Sequence, residues 1–179
     1  MSESPRNLNV VPEADHARHL PAAVAQALGG SGATVFLVDD DASDTAQFSE
    51  RYGFGLEDCA NTIVLRYRKD GADHHAAVVT LGSRRLDVNG AVKAVLGAQR
   101  LSFARREVAV ELTGMAFGGI TAFGLPGEWR VLVDSAVMQR EQVVMGAGVR
   151  EAKLLLTPAG LARLANVTVA EIAGDLEAS

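Results

Sequence analysis

A single cysteine, Cys59, rules out an internal disulfide and the stapled scaffolds that depend on one, and it agrees with a reducing compartment. No apolar run approaches the roughly 18 to 20 residues that would span a bilayer, and the opening MSESPRNLNVVPEADHARH lacks an apolar signal-peptide core. The expectation is a soluble, unexported, cytoplasmic protein with no membrane partner. Basic residues are outnumbered, 17 against 22 acidic, so the net charge of −5 repels a polyanion as a whole and any nucleic-acid contact must be local. Lysine is scarce, 3 residues against 14 arginines, and arginine carries the planar donor fork that suits phosphate and carboxylate. Gly-x-Ser-x-Gly, P-loop and Gly-x-Gly-x-x-Gly strings are absent, which removes the motif-based case for an α/β hydrolase, an ordinary NTPase or a dinucleotide enzyme. Internal repeats and low-complexity tracts are missing as well.

What is present is a chain of 179 residues, 48% of them hydrophobic, long enough to bury one core without a metal or a staple. Leu20, Val24 and Leu28 recur at helical spacing before Gly29-Gly30, predicting a helix over 12–28 that is interrupted near Pro21. ATVFLV (33–38) reads as a strand, and Asp41 or Ser43 offers an N-cap to a helix over 43–52. TIVLRYR (62–68) and HAAVVTL (75–81) form a hairpin about Asp70-Gly71. Helices over 88–96, capped by Asp87 or Asn89, and over 107–112 flank a short strand at 101–103. Strands follow at 130–134, 142–146 and 153–157, and Pro158 opens a last helix through Leu164. The class is α/β, of the α+β kind, with a mixed sheet.

Candidate chemistry is sparse. His16 and His19 stand three apart on a helix, but no further ligand completes a metal site. His74 and His75 read as solvated residues at the hairpin tip, facing opposite ways. Asp39, Asp40 and Asp41 suit a strand-to-helix turn better than a cation loop. Cys59, between an acidic segment and an apolar strand, reads as a small buried filler rather than a nucleophile. No metal or cofactor is called for. Glycine is concentrated from Gly114 to Gly127, above all in Gly118, Gly119, Ile120, Thr121, Ala122, Phe123 and Gly124, and again at Gly146, Ala147 and Gly148. Such loops either turn the chain or offer freed backbone N–H groups to a carbonyl or phosphate oxygen.

Five strings in fixed order carry more than any single motif: CANTIVL (59–65), VVTLGSRRLDVNGAVKAVLGAQRLSFA (78–104), LTGMAFGGITAFGLP (112–126), VLVDSAV (131–137) and GAGVREAKLLLTPAGL (146–161). Together they resemble the YbaK/EbsC family, aminoacyl-tRNA deacylases related to the editing domain inserted in prolyl-tRNA synthetase. The likeness runs from about residue 20 to 172, so residues 1–19 are expected as a partly ordered extension and 20–179 as the editing domain. The resemblance implies a single domain with a bent, partly barrel-like mixed sheet surrounded by helices. It also implies trans-acting hydrolysis of the ester of a tRNA mischarged with a small amino acid, a second sieve needed because a synthetase pocket separates small apolar side chains by only about 1 to 3 kcal/mol.

On that likeness Asn61 and Thr121 act on the ester, while Thr62, Gly118, Gly119, Ile120, Ala122, Gly146, Ala147, Gly148 and Lys153 bind substrate. Two positions depart from the family's pattern: Asn61 stands where a lysine is usual, and Ala122 replaces the proline of a Gly-x-x-x-Pro string. A carboxamide still donates but carries no charge; Lys153 is a candidate to supply the missing cation from the opposite wall, against the commoner case of a surface lysine with its stem over the sheet. Asp134 matches the family's aspartate after the VLV strand and is expected to cap the next turn. Arg84, Arg85, Arg100, Arg105 and Arg106 are candidate contacts to tRNA phosphates. The partners expected are an aminoacylated tRNA 3′ end and an aminoacyl-tRNA synthetase. The alternative reading is a hydrolysis-deficient module that binds aminoacyl ends without turnover, a reading that Asn61 favours.

Overall fold

The computed structural model describes residues 8–39 and 45–176. Its strands are β1 (Asn9–Val11), β2 (Thr34–Leu37), β3 (Ala60–Lys69), β4 (Ala72–Leu81), β5 (Arg84–Leu86), β6 (Arg100–Phe103), β7 (Arg130–Asp134), β8 (Val143–Gly146), β9 (Ala152–Leu156), β10 (Val167–Ala170) and β11 (Ala173–Asp175). Short helices connect them: α1 (His16–His19), α2 (Ala22–Ala27), α3 (Thr45–Tyr52), α4 (Lys93–Leu96), α5 (Arg106–Thr113) and α6 (Pro158–Ala162).

The organising element is the β3–β4 hairpin. Asp70 and Gly71 both take positive φ, 53° and 78°, the geometry in which a two-residue turn matches the twist of its strands. That turn fixes a ten-residue register from Ala60 opposite Leu81 to Lys69 opposite Ala72. The hairpin sits inside a five-stranded sheet ordered β10-β7-β4-β3-β6, in which β7 runs parallel to β4 and β10 parallel to β7. Ala76 to Leu81 are therefore covered on both faces and all buried. Ala77, Val79, Val131 and Val133 pack on one side with Met115 and Phe123, while Val78, Leu132 and Leu65 pack on the other with Val92, Leu96 and Ile172.

A four-stranded sheet, β1-β2-β9-β8, lies beside it, and a lone parallel bridge from Cys59 to Val144 ties the start of β3 to β8. The two sheets thus continue into each other as a bent, mixed sheet that does not close into a barrel. Phe36, Phe48, Phe54, Cys59 and Val144 fill the corner.

Several expectations shift at the edges. The helix over 12–28 divides into α1 and α2, with Pro21 capping the second, and the helix over 88–96 begins as a π-helical turn whose first N–H groups, those of Gly90 and Ala91, donate to the Asp87 carboxylate. His74 and His75 are not tip residues: they pair within the hairpin strands, His74 stacked on Tyr67 and His75 on Trp129. Asp39 pairs with Arg51 at 3.0 Å, whereas Asp40, Asp41 and Ser43 lie outside the described residues. Within the stretch expected as an extension, β1 pairs with β2 and Val11 is buried.

Asp134 ends β7 with no exposed surface. It does not cap the turn that follows; its Oδ1 accepts the N–H groups of Ile172 and Ala173 at 3.0 and 3.1 Å, and its Oδ2 faces the Arg84 guanidinium at 3.3 Å. Arg84 in turn donates to the Ala173 carbonyl at 2.8 Å, so this ion pair staples β5 and β11 to the end of β7. Removing the carboxylate strands two donors and a half-buried cation, so Asp134→Ala should lose about 3 kcal/mol in urea unfolding and Asp134→Asn, which keeps one acceptor, distinctly less.

Candidate functional site

The site forms where β3 outlasts its outer neighbour, β6. Ala104 N–H donates to the Val64 carbonyl and Gln99 N–H to that of Arg68, at 3.0 and 2.7 Å, while the Cys59 carbonyl accepts from Gly82 on the β4 side at 2.8 Å. Even-numbered residues of β3 thus aim their backbone groups away from β4. Strand β6 covers that outer edge only from Leu65 to Arg68, and the Cys59–Val144 bridge holds it at the other end. Thr62, between them, has no strand partner on that side among the described residues, so its N–H and C=O face open space as an unpaired sheet edge does.

A cavity of about 380 Å³ occupies the gap. Asn61, Thr62, Ile63 and Val64 form its floor along β3, and Gly118, Ile120 and Gly146 form one wall. Phe103, Ala104, Arg106, Ala109 and Phe117 enclose the other side, and Lys153 enters from the second sheet. The volume is at the small end of ligand sites.

The glycine wall has a packing cause. The segments about Gly118 and Gly148 lie backbone to backbone, with Gly148 N–H donating to the Gly119 carbonyl at 2.6 Å and Ala116 N–H to that of Gly148 at 3.0 Å. A Cβ on Gly146 would stand 2.7 Å from the Ile120 oxygen, and one on Gly119 would run into the Val149 backbone. The glycines therefore bring two chain segments together, and Gly118 and Gly148 also carry positive φ, 92° and 91°.

Among the described residues, charge in the cavity is one-sided: Lys153 and Arg106 line it and no carboxylate does. Lys153 lies opposite Phe36 and Gly146 in the sheet register, is 8% exposed, and holds its Nζ 5.4 Å from the centre of the Phe48 ring. Arg106, the first residue of α5, stacks its guanidinium 4.0 Å above the Phe117 ring. Phe117 and Phe103 are 47% and 58% exposed, unusual for phenylalanine and consistent with a surface meant to be covered. The Thr62 hydroxyl is buried without a hydrogen-bond partner among the described residues.

Of the residues singled out from sequence, Asn61, Thr62, Gly118, Ile120, Gly146, Lys153 and Arg106 meet at this cavity. Thr121, expected at the ester, does not line it: the residue is fully buried behind the glycine wall, with its N–H directed to the Met115 sulfur at 3.4 Å. Gly119, Ala122, Ala147 and Gly148 support the wall from behind, Ala122 and Ala147 both buried. Arg84 and Arg85 lie on β5 in the small sheet with β11, away from the cavity lining. Arg105 precedes α5 and is not a lining residue, and Arg100 belongs to a separate groove beyond β6. Sequence reasoning missed Phe103, Ala109 and Phe117, which reach the site through tertiary packing; the one available signal was an aromatic immediately before Gly118-Gly119. No group of three or more His, Cys, Asp or Glu side chains is placed to hold a metal among the described residues.

Cys59 is buried beside the site, and burial pushes its thiol up to about 11 despite nearby Lys153. Two pH units above an ordinary thiol cut the thiolate fraction about a hundredfold at neutral pH. Alkylation at pH 8 should therefore be at least about a hundredfold slower in the native protein than in urea, with a rate rising into the alkaline range.

The fold matches the crystal structure of a hypothetical protein with a TM-score of 0.75 and 25% identity, over 84% of this chain and 99% of that one. A proposed trans-editing enzyme for prolyl-tRNA synthetase matches with a TM-score of 0.72 and 22% identity, over 90% and 97%. A proposed signal-transduction protein from Marinobacter aquaeolei matches at 0.63 and 21%, over 88% of this chain but 31% of its own. No curated protein matches the chain, and no described helix is long and apolar enough to cross a membrane. The model of the aminoacyl-tRNA editing domain matches residues 39–164, a span that contains β3, both glycine segments and Lys153 and exceeds half of the sequence, so the chain belongs to the aminoacyl-tRNA editing domain family.

Proposed function

We propose that the chain hydrolyses, in trans, the ester that joins a wrongly attached small amino acid to the 3′ end of a tRNA. The observation that carries this reading is a small cavity whose ionisable lining, among the described residues, is Lys153 and Arg106, set against an open strand edge and a glycine wall. A 3′ end brings a phosphodiester and an ester carbonyl, and both want donors. Lys153 and Arg106 answer the phosphate charge, while Asn61 and the N–H of Thr62 answer the carbonyl. The apolar surfaces of Ile63, Val64, Ala109 and Ile120 suit a small apolar side chain.

Among the described residues, no lining residue is an aspartate, glutamate or histidine, so this reading assigns the general base to no described side chain. The substrate's own vicinal ribose hydroxyl is positioned to take that part: water adds to the carbonyl carbon, the bond to the ribose oxygen breaks, and the water proton passes to that oxygen as it leaves. The protein's share is orientation and stabilisation of the charge on the carbonyl oxygen. Thr62, which lines the cavity and whose hydroxyl has no partner among the described residues, takes the place at the ester expected of Thr121. A second reading, binding without turnover, is favoured by the uncharged Asn61 in the family's lysine position, and a synthetase that delivers the tRNA is the partner consistent with the chain's net charge of −5.

Against a panel of tRNAs charged with small amino acids, the wild type should deacylate one selectively. Asn61→Ala should lower that rate by about tenfold or more, the scale of one lost donor to a developing charge. Lys153→Met, which keeps the stem and removes the ammonium, should weaken 3′-end binding by about 10- to 100-fold. Tight binding with no wild-type turnover, and turnover gained in Asn61→Lys, would establish the second reading instead.

A further inference from the structure

Beyond β6 lies a second concavity, of about 890 Å³, that the family resemblance does not use. Arg66, Arg68, Lys93 and Arg100 line it, with Asn89 and Ser102 among its neutral donors and Asp73 as its one carboxylate among the described residues. Asp73 is shared, at 3.2 Å from Arg66 and 3.0 Å from Arg68, so it orients two guanidinium groups without neutralising the groove. Arg68 and Arg100 stand directly opposite each other in the β3–β6 register. Like charges facing across a strand pair destabilise it, and an anion placed between them relieves the repulsion. This concentration of cations stands out in a chain whose net charge is −5.

The groove and the cavity share one edge strand. β6 leaves Arg100 in the groove and delivers Phe103 and Ala104 to the cavity rim, a span of about 10 Å, or about three stacked nucleotides. We propose that this groove binds the phosphodiester backbone of the same RNA whose 3′ end enters the cavity, the acceptor stem lying across Arg68 and Arg100. The inference rests on the reading of the cavity given above. It puts Arg66, Arg68 and Lys93, as the phosphate contacts, in place of Arg84, which is held by Asp134.

The test uses two uncharged RNAs, an acceptor-stem hairpin with its single-stranded 3′ end and the 3′-terminal trinucleotide alone, against the wild type and the double variant Arg68→Gln, Arg100→Gln. The hairpin should bind the double variant at least about tenfold more weakly, with the slope of log K against log salt reduced by about 2, while trinucleotide binding and the urea midpoint stay unchanged. Lys93→Gln, on a different element, should reduce the slope by about 1 more. Hairpin affinity and slope unchanged in the double variant, with trinucleotide binding intact, would overturn the groove and leave the cavity reading standing. Wild-type protein that binds neither RNA would overturn both, and equal loss of hairpin and trinucleotide would overturn the assignment of a separate stem surface.

Discussion

The outer edge of β3 is the constraint on which the rest of the molecule turns. A ten-residue strand is paired along its whole length to β4, yet on its other side β6 reaches only Leu65 to Arg68 and β8 only Cys59. A backbone left unpaired in a protein interior is costly, so the edge at Thr62 is either covered by chain or reserved for a ligand. Here it borders a cavity. The bend between the two sheets, which the Cys59–Val144 bridge fixes, opens that space, and the aromatic packing of Phe36, Phe48 and Phe54 holds the bend from behind.

The second determinant is where charge is allowed. The ion pair of Asp134 with Arg84 is spent on holding β5 and β11 to the sheet, while Asp73 orders two arginines at the surface. Among the described residues, the cavity receives cations without carboxylates. Lys153 reaches it from the middle of the second sheet, where it stands opposite Gly146 in register. An ammonium that is 8% exposed is stable there only with compensating contacts, of which the Phe48 ring is one. Electrostatics of this kind serves orientation of an anionic, ester-bearing end better than proton transfer.

How much of this was legible in the sequence varies by element, for physical reasons. The hairpin was readable because Asp70-Gly71 encodes its own positive-φ turn, and the long elements were readable because periodicity needs length to register. β1, β5, β10 and β11 span three or four residues each and exist only through their partners, so no local pattern announces them. Asn61, Thr62, Gly118, Gly146 and Lys153 were found because the ordered strings resemble a family, not because their spacing declares a site. The same resemblance placed Thr121 too far forward; the close backbone contact between Gly148 and Gly119 puts that residue behind the wall. Arg84 looked like a free cation because its partner, Asp134, lies fifty residues away in sequence and no linear pattern joins them.

The central claim is that an aminoacyl 3′ end completes the open edge of β3. It is tested most directly by amide hydrogen exchange with a non-hydrolysable aminoacyl-adenosine analogue, in which an amide replaces the ester. The account predicts that the Thr62 amide, unprotected in the free protein, becomes protected on binding while the amides of β4, already paired, change little. Saturable binding that leaves Thr62 exchanging as fast as before would contradict it.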